Sequence, residues 1–266
     1  MRLLFTYLLA VLSFAGSTQE LYIYSEPASN MPAHTIGAKG TTMFYKKDIR
    51  VVPEVMFGFN KNFMLHVAAP FSNMYTGNSR WEAAYVYGKY RFLSNDDVHR
   101  HFRMAAFGEL GYTRNPYLYE EISLQGERSG AQFGLIATQL VNKFAASATV
   151  SYTGTFRPSE ADPLINTPEI TRNAVNFSLS SGLLVLPREY TSYNQTNFNI
   201  YLELLGQRSF ERERYYLDLA PAAQFIFNSN TKLNLGYRFQ LTGNMIRPME
   251  RSFLVGVEHT FFNALK

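Results

Sequence analysis

The sequence predicts an all-β protein, a single up-and-down antiparallel transmembrane β-barrel of about 12 strands. Three observations predict it. From residue 36 onward, strand-length segments alternate apolar and polar residues. Most segments run to about a dozen residues, longer than usual in a soluble sheet and close to the roughly 9–11 residues that cross a bilayer. The connections between segments alternate between mostly short and mostly longer ones.

The hairpin over residues 215–243 shows the pattern most clearly. Its second strand has an apolar set and a polar set, Leu233, Leu235, Tyr237, Phe239 and Leu241 against Asn234, Gly236, Arg238, Gln240 and Thr242. Successive side chains of a strand point to opposite faces, so one face is apolar and the other is polar. The turn at residues 228–231 consists of Asn, Ser and Thr, which bond their own backbone in tight turns.

The first half of the chain gives five strands by the same reasoning. Residues 36–45 form the first strand, although their alternation is poor, and 50–59 and 62–72 form a hairpin across Asn60-Lys61. In the second of these, Phe63, Leu65 and Val67 alternate with Met64, His66 and Ala68. Segments 81–93 and 101–113 follow, and 101–113 sets Phe102, Met104 and Leu110 against Arg103 and Glu109.

The second half gives seven strands. Segments 129–140 and 144–153 meet at a short turn, 173–186 and 196–207 alternate cleanly, 215–227 and 232–243 form the hairpin above, and 251–262 ends the set. One set of connections is mostly short: 60–61, 94–100, 141–143, 187–195 and 228–231. The alternate set is mostly longer: 46–49, 73–80, 114–128, 154–172, 208–214 and 244–250. The exceptions are 94–100 and 187–195, which are long for periplasmic turns, and 46–49, which is short for an outer loop. Bacterial barrels have short periplasmic turns and longer outer loops. The even strand number therefore predicts that both termini are periplasmic.

Composition excludes several classes of protein. Charged residues make up 17% of the chain, below the roughly 25% of an average soluble domain, and aromatic residues make up 15%. No cysteine is present, which removes disulfides, thiolate catalysis and cysteine-based zinc sites. The net charge of +4 is modest and the basic residues are scattered, so we predict no nucleic-acid partner.

The N-terminal region is predicted to be a targeting segment followed by an irregular one. Arg2, the apolar run 3–15 and the small residues 15–17 indicate a cleaved signal peptide over residues 1–19. Residues 20–35 contain Pro27 and Pro32 and are predicted to be an irregular periplasmic segment or plug. The barrel occupies residues 36–266.

An apolar face repeated on every strand requires a partner, and lipid is the simplest one because the chain offers no helices or second sheet to cover it. Closure then satisfies every backbone group in the membrane. We therefore predict the outer membrane of a Gram-negative bacterium as the location. The expected partners are outer-membrane lipid, lipopolysaccharide and the barrel-assembly machinery. A soluble β-sandwich or a lipocalin-like barrel is the alternative.

Several charged residues are predicted to face inward and line the lumen. Buried charges must pair or contact water, so these residues form either a salt-bridge network that fills the barrel or a path for a solute. The predicted lumen-lining residues are Glu54, His66, Glu82, Arg103, Glu109, Glu203, Asp218, Arg238 and Glu258.

No enzymatic activity and no cofactor are predicted. A serine hydrolase needs a histidine close to an activated serine, and no such arrangement stands on a predicted strand. Candidate metal ligands are His99 and His101 beside Asp96 and Asp97, and Met31 and His34 in the N-terminal segment. Thioether and imidazole ligands suit copper, for which Met64 and His66 are further candidates.

Several stretches resemble one group of proteins: residues 25–40, 53–66, 90–107, 227–243 and 251–266. They are similar to small outer-membrane barrels of Gram-negative bacteria, and more loosely to outer-membrane transport barrels grouped with the MetA phenol-degradation proteins. The resemblance spans nearly all the mature chain. It implies a barrel with a transport role, in some members linked to metal handling, and it brings no catalytic motif.

The sequence therefore predicts an outer-membrane channel or transporter for an unidentified small-molecule solute. Loop 154–172 or segment 20–35 is expected to narrow the pore. A transporter of hydrophobic substrates is a variant, which predicts an apolar pocket among the outer loops. The alternatives are a non-conducting structural or interaction barrel, an outer-membrane enzyme and a copper-handling protein. A continuous bore favours the channel, and a plugged lumen favours the non-conducting barrel.

Overall fold

The computed structural model describes residues 22–156, 171–189, 192, 194–211 and 213–265. Throughout these ranges the regular structure is β-strand. No helix in this part of the chain is long and apolar enough to cross a membrane. The signal-peptide prediction for residues 1–19 and most of the predicted loop 154–172 lie outside the described residues.

The strands follow one another along the chain with short or irregular connections. Their bounds are β1 Thr35–Tyr45, β2 Asp48–Gly58, β3 Phe63–Ala68, β4 Phe71–Ser72, β5 Arg80–Trp81, β6 Ala83–Asp96, β7 Arg100–Thr113, β8 Gly130–Val141, β9 Phe144–Thr155, β10 Asn173–Leu186, β11 Asn197–Ser209, β12 Tyr215–Phe227, β13 Thr231–Gly243 and β14 Arg251–Phe261.

These strands form one antiparallel sheet that closes on itself, because β1 pairs with both β2 and β14. Strands β3 and β4 share one position beside β2, and β5 continues into β6 past Glu82. The fourteen strands therefore occupy twelve positions around the barrel. The predicted fold class, a closed twelve-stranded antiparallel barrel, is confirmed.

The structure corrects some predicted boundaries. The strand predicted at 62–72 is interrupted at Ala69 and Pro70, since proline has no N–H to donate to the ladder. Backbone bonds bridge the gap: the Ala69 N–H donates to Pro53 and the Glu82 N–H donates to Pro70. Strand β6 continues to Asp96, so the turn predicted at 94–100 shortens to residues 97–99.

The barrel has two distinct ends. Most of the short connections lie at one end together with Thr35 and Phe261, and we name it the turn end, which also holds the longer connection 187–196. Most of the longer connections lie at the opposite, loop end, together with the two-residue turn 46–47. Positive φ angles at Asn142, Asn228 and Ser229 close the tight hairpins of the turn end. Aromatic rings group at both ends, for example Phe198 with Phe225 at the turn end and Phe133 with Tyr152 at the loop end.

The barrel is apolar outside and polar inside, the reverse of a soluble protein. Large apolar side chains such as Leu110, Phe133 and Leu179 are about 60% exposed on the outer face. The buried side chains of the inner face include many charged and amide groups, such as Lys89, Glu203 and Gln224. Alternation along each strand produces this division, because consecutive residues face opposite sides of the sheet.

Two irregular segments fold into the lumen. Residues 22–34, the N-terminal segment, bond to side chains inside the turn-end half of the barrel. Residues 114–129, the lumen loop, connect β7 to β8 and bond to inward-facing groups of other strands, such as Gln207 of β11, near the loop end. Together they determine which polar side chains of the barrel wall remain accessible.

Candidate lumen site

Glu203 anchors the first part of the N-terminal segment. Its carboxylate accepts hydrogen bonds from three consecutive backbone N–H groups, those of Ile23, Tyr24 and Ser25, each at 2.9 Å. The hydroxyl of Ser180 donates a further bond at 3.1 Å. Successive N–H groups that converge on one point form a ready site for an anion. Glu203 is fully buried, and these donors compensate its charge.

Lys89 anchors the second part of the segment. Its ammonium group donates to the Glu26 carboxylate at 3.0 Å, to the Pro27 carbonyl at 2.6 Å and to the Ser29 carbonyl at 2.9 Å. The side chain is fully buried, so these bonds satisfy its donors away from bulk water. The Ala28 N–H also donates to the Thr138 hydroxyl at 2.8 Å. The segment is thereby bonded to β6 and β8 as well as β11.

Gln207 holds the lumen loop to β11, three strand positions from β8. The Ile122 N–H donates to the Gln207 Oε1 at 2.9 Å, and Gln207 Nε2 donates back to the Ile122 carbonyl at 2.8 Å. Within the loop, the Arg128 guanidinium lies over the Tyr117 ring at 4.3 Å and donates to the Tyr119 carbonyl. Burial lowers the pKa of Arg128 to about 10.

A cluster of charges at the loop end joins the lumen loop to the 244–250 connection. Arg247 donates to both carboxylate oxygens of Asp218 at 2.7 Å and to Glu121 at 3.1 Å. Its guanidinium also lies 3.6 Å from the centroid of the Tyr216 ring. Arg238 donates to Asp218 at 2.6 Å. Burial disfavours the charge of Arg247, but Glu121 and Asp218 outweigh it and raise the pKa of Arg247.

Two further charge groups lie on the wall formed by β1 to β6. Arg50 contacts Glu127 of the lumen loop at 2.5 Å and Glu82 at 3.2 Å. Nearer the middle of the barrel, Glu54 pairs with Lys39 at 3.7 Å and with His66 Nδ1 at 2.8 Å. These pairings neutralise most of the charge on this wall.

A central cavity of about 340 Å³ lies between the N-terminal segment and the lumen loop. Its lining combines both segments with the barrel wall, including Tyr24, Glu54, His66, Tyr87, Glu109 and Ser123. Several buried polar atoms on it have no hydrogen-bond partner among the described protein atoms: Tyr24 OH, His66 Nε2, Tyr87 OH and Glu109 Oε1. Buried polar groups need partners, so the cavity suits water or a polar solute.

The nine predicted lumen residues are all on the inner side but fall into separate groups. Glu54, His66 and Glu109 border the cavity, as does Arg238. Glu82 pairs with Arg50, Asp218 belongs to the loop-end cluster, and Glu203 holds the N-terminal segment. Arg103 and Glu258 lie toward the turn end, where Arg103 bonds Asp96 and Ser29, and Glu258 pairs with Lys232 at 2.5 Å.

The predicted set omits the basic partners of the lumen carboxylates and the charged residues of the two segments that fold into the lumen. Lys39, Arg50, Lys89 and Lys232 stand at alternating positions that face inward, so strand parity was a usable signal for them. The segment residues Glu26, Glu121, Glu127 and Arg247 carry no periodic signal, because they lie in irregular chain.

The candidate histidine ligands are not grouped with enough further His, Cys, Asp or Glu side chains to form a metal site in the described part of the chain. His101 Nδ1 contacts Asp96 at 2.8 Å, and Arg103 shares the same carboxylate at 2.9 Å, so this group is an ion-paired turn. His34 and His99 are exposed, at the turn end of the barrel. Within the described ranges, no three His, Cys, Asp or Glu side chains are placed to hold a metal ion.

Replacing Gly111 with alanine is expected to displace the lumen loop. A Cβ at Gly111 would lie 2.6 Å from the Leu124 carbonyl oxygen and 2.7 Å from its Cβ, too close for real contacts. Overpacking of this kind costs about 1–3 kcal/mol. Urea unfolding in micelles and proteolysis of the loop measure the effect. The control is Gly40→Ala on β1, where a Cβ meets nothing within 4 Å. Equal stability of the two variants would contradict the placement of the loop.

Comparison with known proteins identifies structural neighbours but no family. No protein-family model matches the sequence, and no curated protein matches it significantly. An outer membrane channel from Pseudomonas putida F1 aligns with a TM-score of 0.59 and 11% identity, covering 90% of this chain and 100% of the channel. The KdgM porin aligns with a TM-score of 0.53 and 11% identity, covering 85% of this chain and 99% of the porin.

A third neighbour has a different role. The β domain of the Bordetella autotransporter BrkA aligns with a TM-score of 0.51 and 13% identity, covering 85% of this chain and 98% of that domain. At these identities the likeness concerns the fold alone, which hosts more than one function. The chain thus shares the fold of these outer-membrane barrels.

Proposed function

We propose that the protein is an outer-membrane channel that passes a small polar solute through the central cavity. Its place is the outer membrane of a Gram-negative bacterium, reached by means of a signal peptide that is cleaved after export. As part of the same proposal, we relate the chain to small outer-membrane transport barrels, and more loosely to those grouped with the MetA phenol-degradation proteins. We propose no catalytic step. The barrel selects the solute and lets it pass through the membrane.

The outer surface supports a membrane location. Apolar side chains such as Val86, Leu135 and Val150 are exposed on the outer face between two groups of aromatic rings near the strand ends. A band of this kind is stable against hydrocarbon and is a liability in water. The closed sheet also leaves no unpaired edge, which the membrane interior requires.

One observation carries the channel proposal: the unpartnered polar atoms that face the central cavity. A barrel with a purely structural role fills its interior with paired side chains. Here Glu109 Oε1, His66 Nε2 and Tyr87 OH are buried but have no partner among the described protein atoms. Their hydration requires water inside the barrel, and a hydrated lumen is the first requirement for a solute path.

Recording from the purified protein in planar lipid bilayers tests the proposal. We expect discrete conductance steps, smaller than those of a general porin because two segments occupy the lumen. A protein that inserts into the bilayer, shown by protease protection of its strands, and remains electrically silent would contradict the proposal. Passage of uncharged solutes is measured in parallel by the swelling of proteoliposomes.

A non-conducting structural or interaction barrel is the second candidate. The observation that favours it is the dense bonding of the N-terminal segment to Lys89, Thr138 and Glu203. If the segment stays fixed and the bilayer remains silent, this function replaces the first. The exposed loop end would then be the place where partners bind.

A further inference from the structure

Glu109 differs from the other carboxylates inside the barrel. It lies on β7 between Tyr87 of β6 and Gln132 of β8, lines the central cavity and is 7% exposed. Within the described residues, its Oε1 has no hydrogen-bond donor. The neighbouring Gln132 amide donates to the Ser151 hydroxyl at 2.7 Å rather than to Glu109.

The remaining inward carboxylates of the described chain are compensated. Glu203 accepts backbone N–H groups, and the others have a basic partner: Glu26 with Lys89, Glu54 with Lys39, Glu82 and Glu127 with Arg50, Glu121 with Arg247, Asp218 with Arg238 and Glu258 with Lys232. A buried carboxylate without a partner is costly. Such a carboxylate is neutralised by a proton or by a cation, so Glu109 leaves a place in the cavity for a positive group supplied from outside the chain.

Aromatic rings lie on the same stretch of the cavity wall as this carboxylate, because Tyr87 is its partner on β6 and Phe107 lies two residues before it on β7. Tyr87 packs against Phe107 with ring centroids 5.4 Å apart and against His66 at 5.3 Å. All three rings border the central cavity. A carboxylate beside aromatic faces is suited to an ammonium group on a short alkyl chain, through charge and cation–π attraction. The free Tyr87 OH and His66 Nε2 provide hydrogen bonds for a second polar group.

We propose that the central cavity binds a small organic cation bearing an ammonium group, with Glu109 as its counter-ion. The inference rests on the proposed function in one respect, because it treats the cavity as reachable by a solute. A metal ion fits less well, since no three metal-ligating His, Cys, Asp or Glu side chains of the described residues come together. An anion fits less well because the cavity lining carries more glutamates than basic residues.

Calorimetric titration of the detergent-solubilised protein with ethylammonium chloride tests the site. We expect binding to the unmodified protein and about ten- to one-hundredfold weaker binding to Glu109→Gln, the loss expected for one charged hydrogen bond. Glu109→Asp, which keeps the charge, should retain part of the affinity. The matched control is Glu189→Gln, which removes the same charge from an exposed turn residue and should bind like the unmodified protein.

Further titrations identify the class of ligand. Propionate and 1-propanol share the size of the probe without its positive charge, and neither should bind. The proposal is overturned if ethylammonium does not bind, if Glu109→Gln binds it as tightly as the unmodified protein, or if propionate binds better. Heat modifiability in electrophoresis confirms that each variant is folded, so loss of affinity is not confused with loss of the barrel.

The titration separates this inference from the proposed function, because it needs no current. If the protein passes no current but binds ethylammonium through Glu109, the binding site is supported and the channel proposal fails. If it passes current but does not bind ethylammonium, the channel proposal is supported and the binding site fails. Where both hold, cation selectivity across a salt gradient should fall in Glu109→Gln and persist in Glu189→Gln.

Discussion

Replacing Arg247 with alanine is expected to destabilise the barrel by about 3–5 kcal/mol, the cost of breaking a buried ion pair by removing one partner. The Arg247 side chain is 1% exposed, and those of Asp218 and Glu121 are 0% and 9% exposed. Its loss leaves Glu121 without its closest cation and Asp218 with Arg238 alone. It also removes the guanidinium that packs on the Tyr216 ring.

The same substitution is expected to loosen both loops that meet at this cluster. Arg247 belongs to the 244–250 connection, whereas Glu121 belongs to the lumen loop, so the pair joins two segments distant in sequence. We expect faster proteolysis of both loops and a lower urea midpoint in lipid vesicles. Arg251→Ala is the control, since Arg251 is exposed at the start of β14. Equal effects of the two substitutions would contradict the role of the cluster.

Deleting residues 22–33, with residues 1–21 retained for export, is expected to raise single-channel conductance several-fold. These residues lie inside the turn-end half of the lumen, bonded to Lys89, Thr138 and Glu203. After the deletion, water fills the part of the lumen that these residues occupy. The barrel wall should remain closed, because β1 begins at Thr35 and keeps its pairing with β2 and β14.

A single substitution at the anchor of the N-terminal segment also tests whether this segment obstructs the lumen. Glu203→Gln keeps the size of the side chain but removes the charge that accepts three backbone N–H groups. Bonds to a charged group contribute about 1.5–3 kcal/mol, so the segment should dissociate more often and the current should flicker between two levels. Unchanged conductance in the deletion variant would show that residues 22–33 do not obstruct the path.

The barrel could be predicted from the sequence because its signal is local. Alternation at residues such as Phe198 to Glu203 fixes which side chains face inward, and an even number of strands fixes the position of the termini. The break at Pro70 was harder to predict, since Pro70 stands in step with the inward residues of its strand and only its missing N–H distinguishes it.

The contents of the lumen could not be predicted in the same way. The bond between Glu203 and the Tyr24 N–H joins residues 179 positions apart, and the pair of Arg247 with Glu121 spans 126. Irregular segments have no periodicity from which the direction of their side chains could be predicted. Strand parity placed Glu109 on the inner face, but only the arrangement of the other charges shows that, within the described ranges, its Oε1 has no hydrogen-bond partner.

Cysteine accessibility at two adjacent residues of β10 tests the central claim most directly, because the chain has no cysteine of its own. Ser178 lines the central cavity, and Leu179 is 58% exposed on the outer face. In bilayers, a charged methanethiosulfonate reagent should react with Ser178→Cys and reduce the current, while Leu179→Cys in the lipid should not react. A solute path through the lumen would be contradicted if the reagent reacted with Leu179→Cys alone. It would also be contradicted if the protein conducted but the reagent reduced the current of neither variant.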